Sequence, residues 1–167
     1  HWQRPIEDYF EFMPANAYRA VGQPDVREPQ PGVWQVMCEN NHSIALTFEF
    51  AEQVVGWPCF TIQAPAGTVV ELLVHEAHAA GGPELINSHF NSWTRFICQE
   101  GVNTFETFDF ESLRWLQLHL HGVAGLVEIS GVQVRRRIYP WPHQPVVRCS
   151  ETALQRLFDA TVNTLHN

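Results

Sequence analysis

The chain is short of charge. Only 17% of its 167 residues are Asp, Glu, Lys or Arg, where a soluble domain usually has roughly a quarter. What charge there is leans one way: 10 Lys and Arg against 18 Asp and Glu, a formal net charge of −8. That balance excludes nucleic acid as a partner, because phosphate backbones are gripped by clustered cations. The single basic run, Arg135-Arg136-Arg137, is too short to change it. No apolar run reaches the roughly eighteen residues of a membrane-spanning helix, so no membrane partner is expected. Residues 1–30 are not expected to act as a secretory leader. The chain opens on His1 where a start codon would place Met, so a preceding segment is expected and the compartment stays open. The four cysteines, Cys38, Cys59, Cys98 and Cys149, form no CxxC and are expected to be mostly buried free thiols. There is no GxSxG elbow, no glycine-rich phosphate loop and no HExxH pair. No Asp-rich loop offers calcium its oxygen ligands.

What is abundant is apolar and aromatic. Hydrophobic residues make up 45% and aromatic residues 12%, which places the chain among packed globular domains and not disordered ones. The stretch from Trp57 to Glu76 is the most legible: two apolar runs separated by Ala64-Pro65-Ala66-Gly67. Pro65 presets φ and Gly67 can take a positive φ, so a β-turn is predicted, and a β-hairpin around it. Ile44, Leu46, Phe48 and Phe50 alternate with Ala45, Thr47 and Glu49, the period of a half-buried strand. Leu116, Leu118 and Leu120 alternate with Trp115, Gln117, His119 and His121 in the same way. Val33–Met37, Asn91–Ile97, Val102–Phe110 and Leu126–Ile138 are further strand candidates. A bulge is expected where Phe105 and Phe108 fall out of phase, and a kink at Gly131. Many short strands with frequent turns predict an all-β, antiparallel sandwich of jelly-roll type.

The ends differ from this middle. Residues 1–32 hold Pro5, Pro14, Pro24 and Pro29 and predict an irregular incoming linker, with one short edge strand near Tyr18–Val21. The sandwich is expected over 33–139 and a stiff proline-rich linker over 140–149. A single amphipathic helix is expected over 150–167, capped by Ser150 with Glu151 in its first turn. Its stripe of Leu154, Leu157, Phe158, Val162 and Leu165 either packs back on the sandwich or faces a further domain.

Three residue types could carry chemistry. Glu106, Asp109 and Glu111 are the densest acidic group, but a catalytic acid and base must converge on the same bond, and structural partnership with Arg114 and Arg95 is the simpler role. His119 and His121 point to one strand face, a start for a metal site that lacks a third ligand. No catalytic pair, metal or cofactor is expected in this chain. Tryptophans can stack on the C–H faces of sugars, although most pack in cores. Trp57, Trp93 and Trp115, with Glu111, are the predicted sugar-binding residues.

Several motifs occur together: Thr47-Phe48-Glu49-Phe50, Val54-Val55-Gly56-Trp57-Pro58, Ala64-Pro65-Ala66-Gly67-Thr68 and Val74-His75-Glu76. Further on come Thr104-Phe105-Glu106-Thr107-Phe108, Phe110-Glu111-Ser112-Leu113-Arg114-Trp115-Leu116, and Cys149-Ser150-Glu151-Thr152-Ala153-Leu154-Gln155-Arg156-Leu157. In combination, over Val33 to Asn167, they resemble the bacterial α-L-rhamnosidases of glycoside hydrolase family 78. The resemblance implies the β-sandwich that precedes an (α/α)6 catalytic barrel, with the Ser150 helix as the first of that barrel. It implies that the inverting acid and base lie downstream, outside this segment. The partners it implies are that catalytic domain and rhamnose-containing carbohydrate. The alternatives are a stand-alone carbohydrate-binding module using surface aromatics and an interaction module docking through the helix.

Overall fold

The computed structural model describes residues 9–21, 25–38, 43–77, 86, 93–123, 125–141, 143 and 145–166. Ten strands and one helix follow in order: β1 (Phe10–Pro14), β2 (Ala17–Val21), β3 (Asp25–Gln30), β4 (Val33–Cys38), β5 (Ile44–Ala64), β6 (Val69–His75), β7 (Thr94–Ile97), β8 (Gly101–Glu106), β9 (Glu111–His121), β10 (Gly125–Arg137) and α1 (Thr152–His166). All the pairings are antiparallel, and the architecture is an all-β sandwich with a C-terminal helix.

Strand β5 makes the sandwich. Its first part, from Ile44, pairs with β2 and β9, and its last part, to Ala64, pairs with β8 and β10. One layer therefore runs β2-β5-β9-β6-β7. The other runs β3-β4-β10-β5-β8, with β1 on the far half of β10. The crossing point is Gly56, which faces Glu111 of β9 on one side and Arg136 of β10 on the other. Only glycine fits there: a Cβ would stand 2.4 Å from the Arg135 carbonyl oxygen. Between the layers lies one apolar core. Ile44, Leu46, Phe48, Leu116, Leu118, Leu120, Val70 and Leu72 come from the first layer, and Trp34, Val36, Phe60, Ile62, Val127 and Ile129 from the second. Trp34 meets Phe48 edge-on at 4.9 Å between ring centroids, and Phe60 meets Phe96 at 5.6 Å, so aromatic pairs tie layer to layer.

The expected hairpin around Trp57–Glu76 is not formed. The turn is real: Gly67 has φ 83°, and the Thr68 N–H donates to the Pro65 carbonyl at 3.3 Å. That makes Pro65-Ala66-Gly67-Thr68 the turn, one residue later than predicted, with Gly67 at the position where a type II turn needs positive φ. But β6 and the last part of β5 pair with other strands and belong to opposite layers, so the turn is an arch over the edge of the core. It is pinned from the side by reciprocal bonds with Cys98, at 2.9 Å each, and by Glu100, which accepts the Ala66 N–H at 3.0 Å.

Other expectations also change. Three stretches of the expected linker are strands: β1, β2 and β3 all join the sheets, with Pro14 ending β1 and Pro29 on the outermost strand β3, where no ladder donor is required. The bulge expected between Phe105 and Phe108 is a strand end; β8 stops at Glu106, and Phe108 projects into solvent. The kink at Gly131 is present, with φ 58° and a register shift between Ser130 and Gln133. Helix α1 begins at Thr152, so Glu151, whose carbonyl accepts the Gln155 N–H, holds the cap position expected for Ser150. The side chain of Gln155 folds back to accept the Cys149 N–H at 2.9 Å. Residues 39–42, where Glu39-Asn40-Asn41-His42 has the composition of a turn, and most of the polar, histidine-bearing stretch from His75 to His89 lie outside the described residues.

Candidate functional site

Each layer turns one face to the core and one outward, and the outward faces carry the polar chemistry. On the first layer, register places Ala45, His119, Glu71 and Arg95 in one row across β5, β9, β6 and β7. The neighbouring rows are Thr47, Gln117 and Leu73, then Glu49, Trp115 and His75. His121 is two residues along β9 from His119, and the two rings stack at 6.3 Å between centroids.

Glu71 is the hub of this face. Its Oε1 accepts from Arg95 Nε at 2.9 Å and also from Arg95 Nη2; its Oε2 lies 3.1 Å from His121 Nε2. A carboxylate only accepts, so His121 Nε2 carries the proton. Its Nδ1 is then free to accept from the Ser43 hydroxyl at 2.8 Å. The Arg95 hydrogen bond, above all, holds the Glu71 carboxyl below its ordinary range against the opposing effect of burial, so it is charged at neutral pH. The order of contacts is that of a Ser–His–carboxylate relay. Acyl transfer also needs convergent N–H donors for an oxyanion; here the contacts converge on Glu71 and orient its carboxylate. Beside it, His119 Nε2 donates to Gln117 Oε1 at 2.8 Å, and the same oxygen accepts the Ile86 N–H at 3.1 Å. Gln117 is wholly buried and donates in turn to Thr47. Burial, followed by the neighbouring His121, pushes His119 below the usual histidine range.

The second layer's outward face is aromatic. The Arg135 guanidinium lies 4.9 Å from the Phe10 ring centre and 4.8 Å from that of Trp57, a cation between two rings. Glu106 clamps it with two bonds of 2.7 Å, which raise the Arg135 pKa further. Phe110 meets Trp57 edge-on at 6.2 Å. Glu111 sits at the crossing point opposite Gly56; burial, and then Asp109, push its carboxyl above the ordinary range.

The predicted sugar-binding residues are thus split. Trp57 and Glu111 lie near each other, but a face of Trp57 is already occupied by Arg135. Trp115 is on the opposite layer and only 7% exposed, too buried to serve as a platform. Trp93 alone is open, at 61%, beside the start of β7. The acidic trio does not face a common bond: Glu106 is committed to Arg135, and the partners expected for these acids, Arg95 and Arg114, bind Glu71 and Glu49 instead. His119 and His121 do share a face, but among the described residues no group of three side chains could hold a metal. The Glu71–Arg95–His121 cluster was missed from sequence. Its signal was present in the outward phase of Glu71 and Arg95, but reading it required knowing that β6 sits between β9 and β7.

No known protein family and no curated protein matches the chain by sequence. Among solved structures it is similar to the GH78 family rhamnosidase of Bacillus sp. GL1, with a TM-score of 0.62 and 23% identity over 80% of this chain. It is also similar to a rhamnosidase from Klebsiella oxytoca with rhamnose bound, with a TM-score of 0.66 and 13% identity over 95% of this chain. The chain spans 13% and 35% of the lengths of those two proteins. At this identity the likeness is one of fold.

Proposed function

We propose that the chain is a non-catalytic β-sandwich of a glycoside hydrolase resembling α-L-rhamnosidase, one that supports a helical barrel domain and walls part of its substrate cleft. Helix α1 carries this reading. Leu154, Leu157 and Leu165 form an uncovered apolar stripe, while Val162 is buried beside Pro140, Trp141 and Pro145. A helix half-covered in this way is built to be shared with a second body. The similarity to the Klebsiella rhamnosidase supports the same reading, since it leaves fewer residues unmatched than α1 contains. The acids of this chain support a structural role: Glu49, Glu71 and Glu106 each neutralise an arginine. The test is an assay of the purified 167-residue chain on an aryl α-L-rhamnoside. No turnover above buffer is expected; turnover abolished by Glu111→Gln or Glu106→Gln would overturn the reading.

A further inference from the structure

We propose that the exposed β7 border of the first layer is a saccharide-binding face, with Trp93 as the stacking plane and the Arg95–Glu71–His121 row as the hydroxyl-reading edge. Only the choice of rhamnose as first probe rests on the function proposed above.

The first observation is Trp93. Indole is the largest apolar side chain, and leaving it 61% exposed forfeits burial that tryptophan normally gains. Trp34 and Trp115 in the same chain are buried. Exposure alternates along Trp93-Thr94-Arg95-Phe96-Ile97, so Trp93 is in phase with Arg95 and Ile97 on the outward side, while Phe96 packs inward on Phe60. The indole therefore stands at the border of the polar row.

The second observation is that this row is fixed before any ligand arrives. Both Glu71 oxygens are held, one by Arg95 and one by His121, and His121 is held again by Ser43. The Glu71 side chain is 13% exposed, so little rotamer entropy is left to lose on binding. Mixed donors and acceptors at hydrogen-bond spacing beside an aromatic plane match a ring with C–H faces and vicinal hydroxyls.

The third observation concerns charge. Arg95 is neutralised by Glu71, and the chain carries a net charge of −8. A phosphate, sulfate or nucleic-acid ligand would find no uncompensated cation in this row, whereas a neutral polyol needs none. The second layer offers no equal: the Trp57 ring is already covered by Arg135.

The test follows indole side-chain NMR signals of the full chain during titration with L-rhamnose, methyl α-L-rhamnoside and a panel of neutral hexoses and disaccharides. Trp93→Phe assigns the signal. The expected result is a saturable shift of the Trp93 indole with a dissociation constant of about 1 mM, weakened roughly tenfold or more in Trp93→Ala and in Arg95→Ala. Circular dichroism checks that each variant is folded, and Trp141→Phe serves as the folded variant that keeps binding. Shifts with a neutral sugar other than rhamnose support the face and count against the rhamnosidase reading. Silence of every indole up to about 100 mM of each sugar overturns the face and leaves the rhamnosidase reading untouched. Shifts confined to Trp57, or unchanged affinity in folded Trp93→Ala, also overturn it.

Discussion

At the scale of single residues, burial moves two titratable groups away from their ordinary ranges, Glu111 upward and His119 downward, and each predicts a pH effect of its own sign. Burial and Asp109 raise the Glu111 carboxyl, so the folded state disfavours its charge. Below the ordinary carboxyl range the group is neutral in both states and costs nothing; above the raised value its ionisation destabilises the fold. Glu111→Gln is therefore expected to raise the thermal midpoint at pH 7, with the gain vanishing below about pH 4. Calorimetry of both proteins across that range checks it, and an equal offset at both ends would sink the explanation. His119 runs the other way. Its lowered pKa means the unfolded chain takes up the proton first. The stability it contributes is whole above about pH 6.5 and is lost as pH falls from there through the folded value. The thermal midpoint should accordingly decline from pH 7 to pH 5.5. His119→Gln, which keeps an amide donor toward Gln117 Oε1, should flatten that decline; an unchanged slope would assign it elsewhere.

At the scale of elements, the strand that passes between layers matters most. A methyl group at Gly56 would meet the Arg135 carbonyl oxygen at 2.4 Å and the Arg136 Cα at 2.9 Å, both backbone atoms that cannot swing away. Gly56→Ala should destabilise the chain by about 2 kcal/mol or more in urea unfolding, since either the β5–β10 ladder or the crossing must open. At Gly67 the φ of 83° is the obstacle, with open space around the Cβ, so Gly67→Ala should cost only about 1 kcal/mol. A larger loss at Gly67 than at Gly56 would reverse this account of the crossing. These two glycines also mark what sequence could tell. The turn at Gly67 was legible because its chemistry is local, and so was the alternation of Leu116, Leu118 and Leu120, because one face of β9 is packed. The arch was not legible. Turn residues report a reversal of direction, while the choice between pairing the end of β5 with β6 and leaving the two in opposite layers is decided by ladders with β8, β9 and β10, remote in the chain. Prolines misled for a related reason: Pro14 and Pro29 suggested breaks, but at a strand end and on an edge strand the missing N–H costs nothing. At the candidate site, residue type alone made Trp57, Trp93 and Trp115 equal candidates; that Trp93 is exposed, Trp115 buried and one face of Trp57 covered by Arg135 depends on the layer order.

At the scale of the whole molecule, the question is how α1 is held to the sandwich. Much of its apolar stripe is open, so packing alone holds it weakly; Phe158 and Val162 border a half-open cavity of about 490 Å³ shared with Pro140, Trp141 and Pro145. Polar ties supply the rest. The Tyr139 N–H donates to the His166 carbonyl at 2.9 Å. The His166 Nδ1 returns a bond to the Tyr139 carbonyl at 3.2 Å, so that nitrogen carries the proton. The third tie runs through Glu52 of β5, which accepts from Asn163 of α1 with one oxygen and from Arg136 of β10 at 3.2 Å with the other. Arg136 is buried and also bound to Glu11 of β1. One carboxylate thus joins the helix to both layers. Glu52→Ala leaves Arg136 its Glu11 partner but removes one acceptor from Asn163, a loss of about 1 kcal/mol at a half-buried hydrogen bond. The expected outcome is local: amide exchange over Thr152–His166 should quicken severalfold, while exchange in β9 and the second half of β5 stays unchanged. Hydrogen-exchange mass spectrometry reads both segments in one experiment. Uniform acceleration would mean that the sandwich and helix unfold as one unit, and no acceleration of α1 would mean that the Tyr139–His166 pair holds the helix without Glu52.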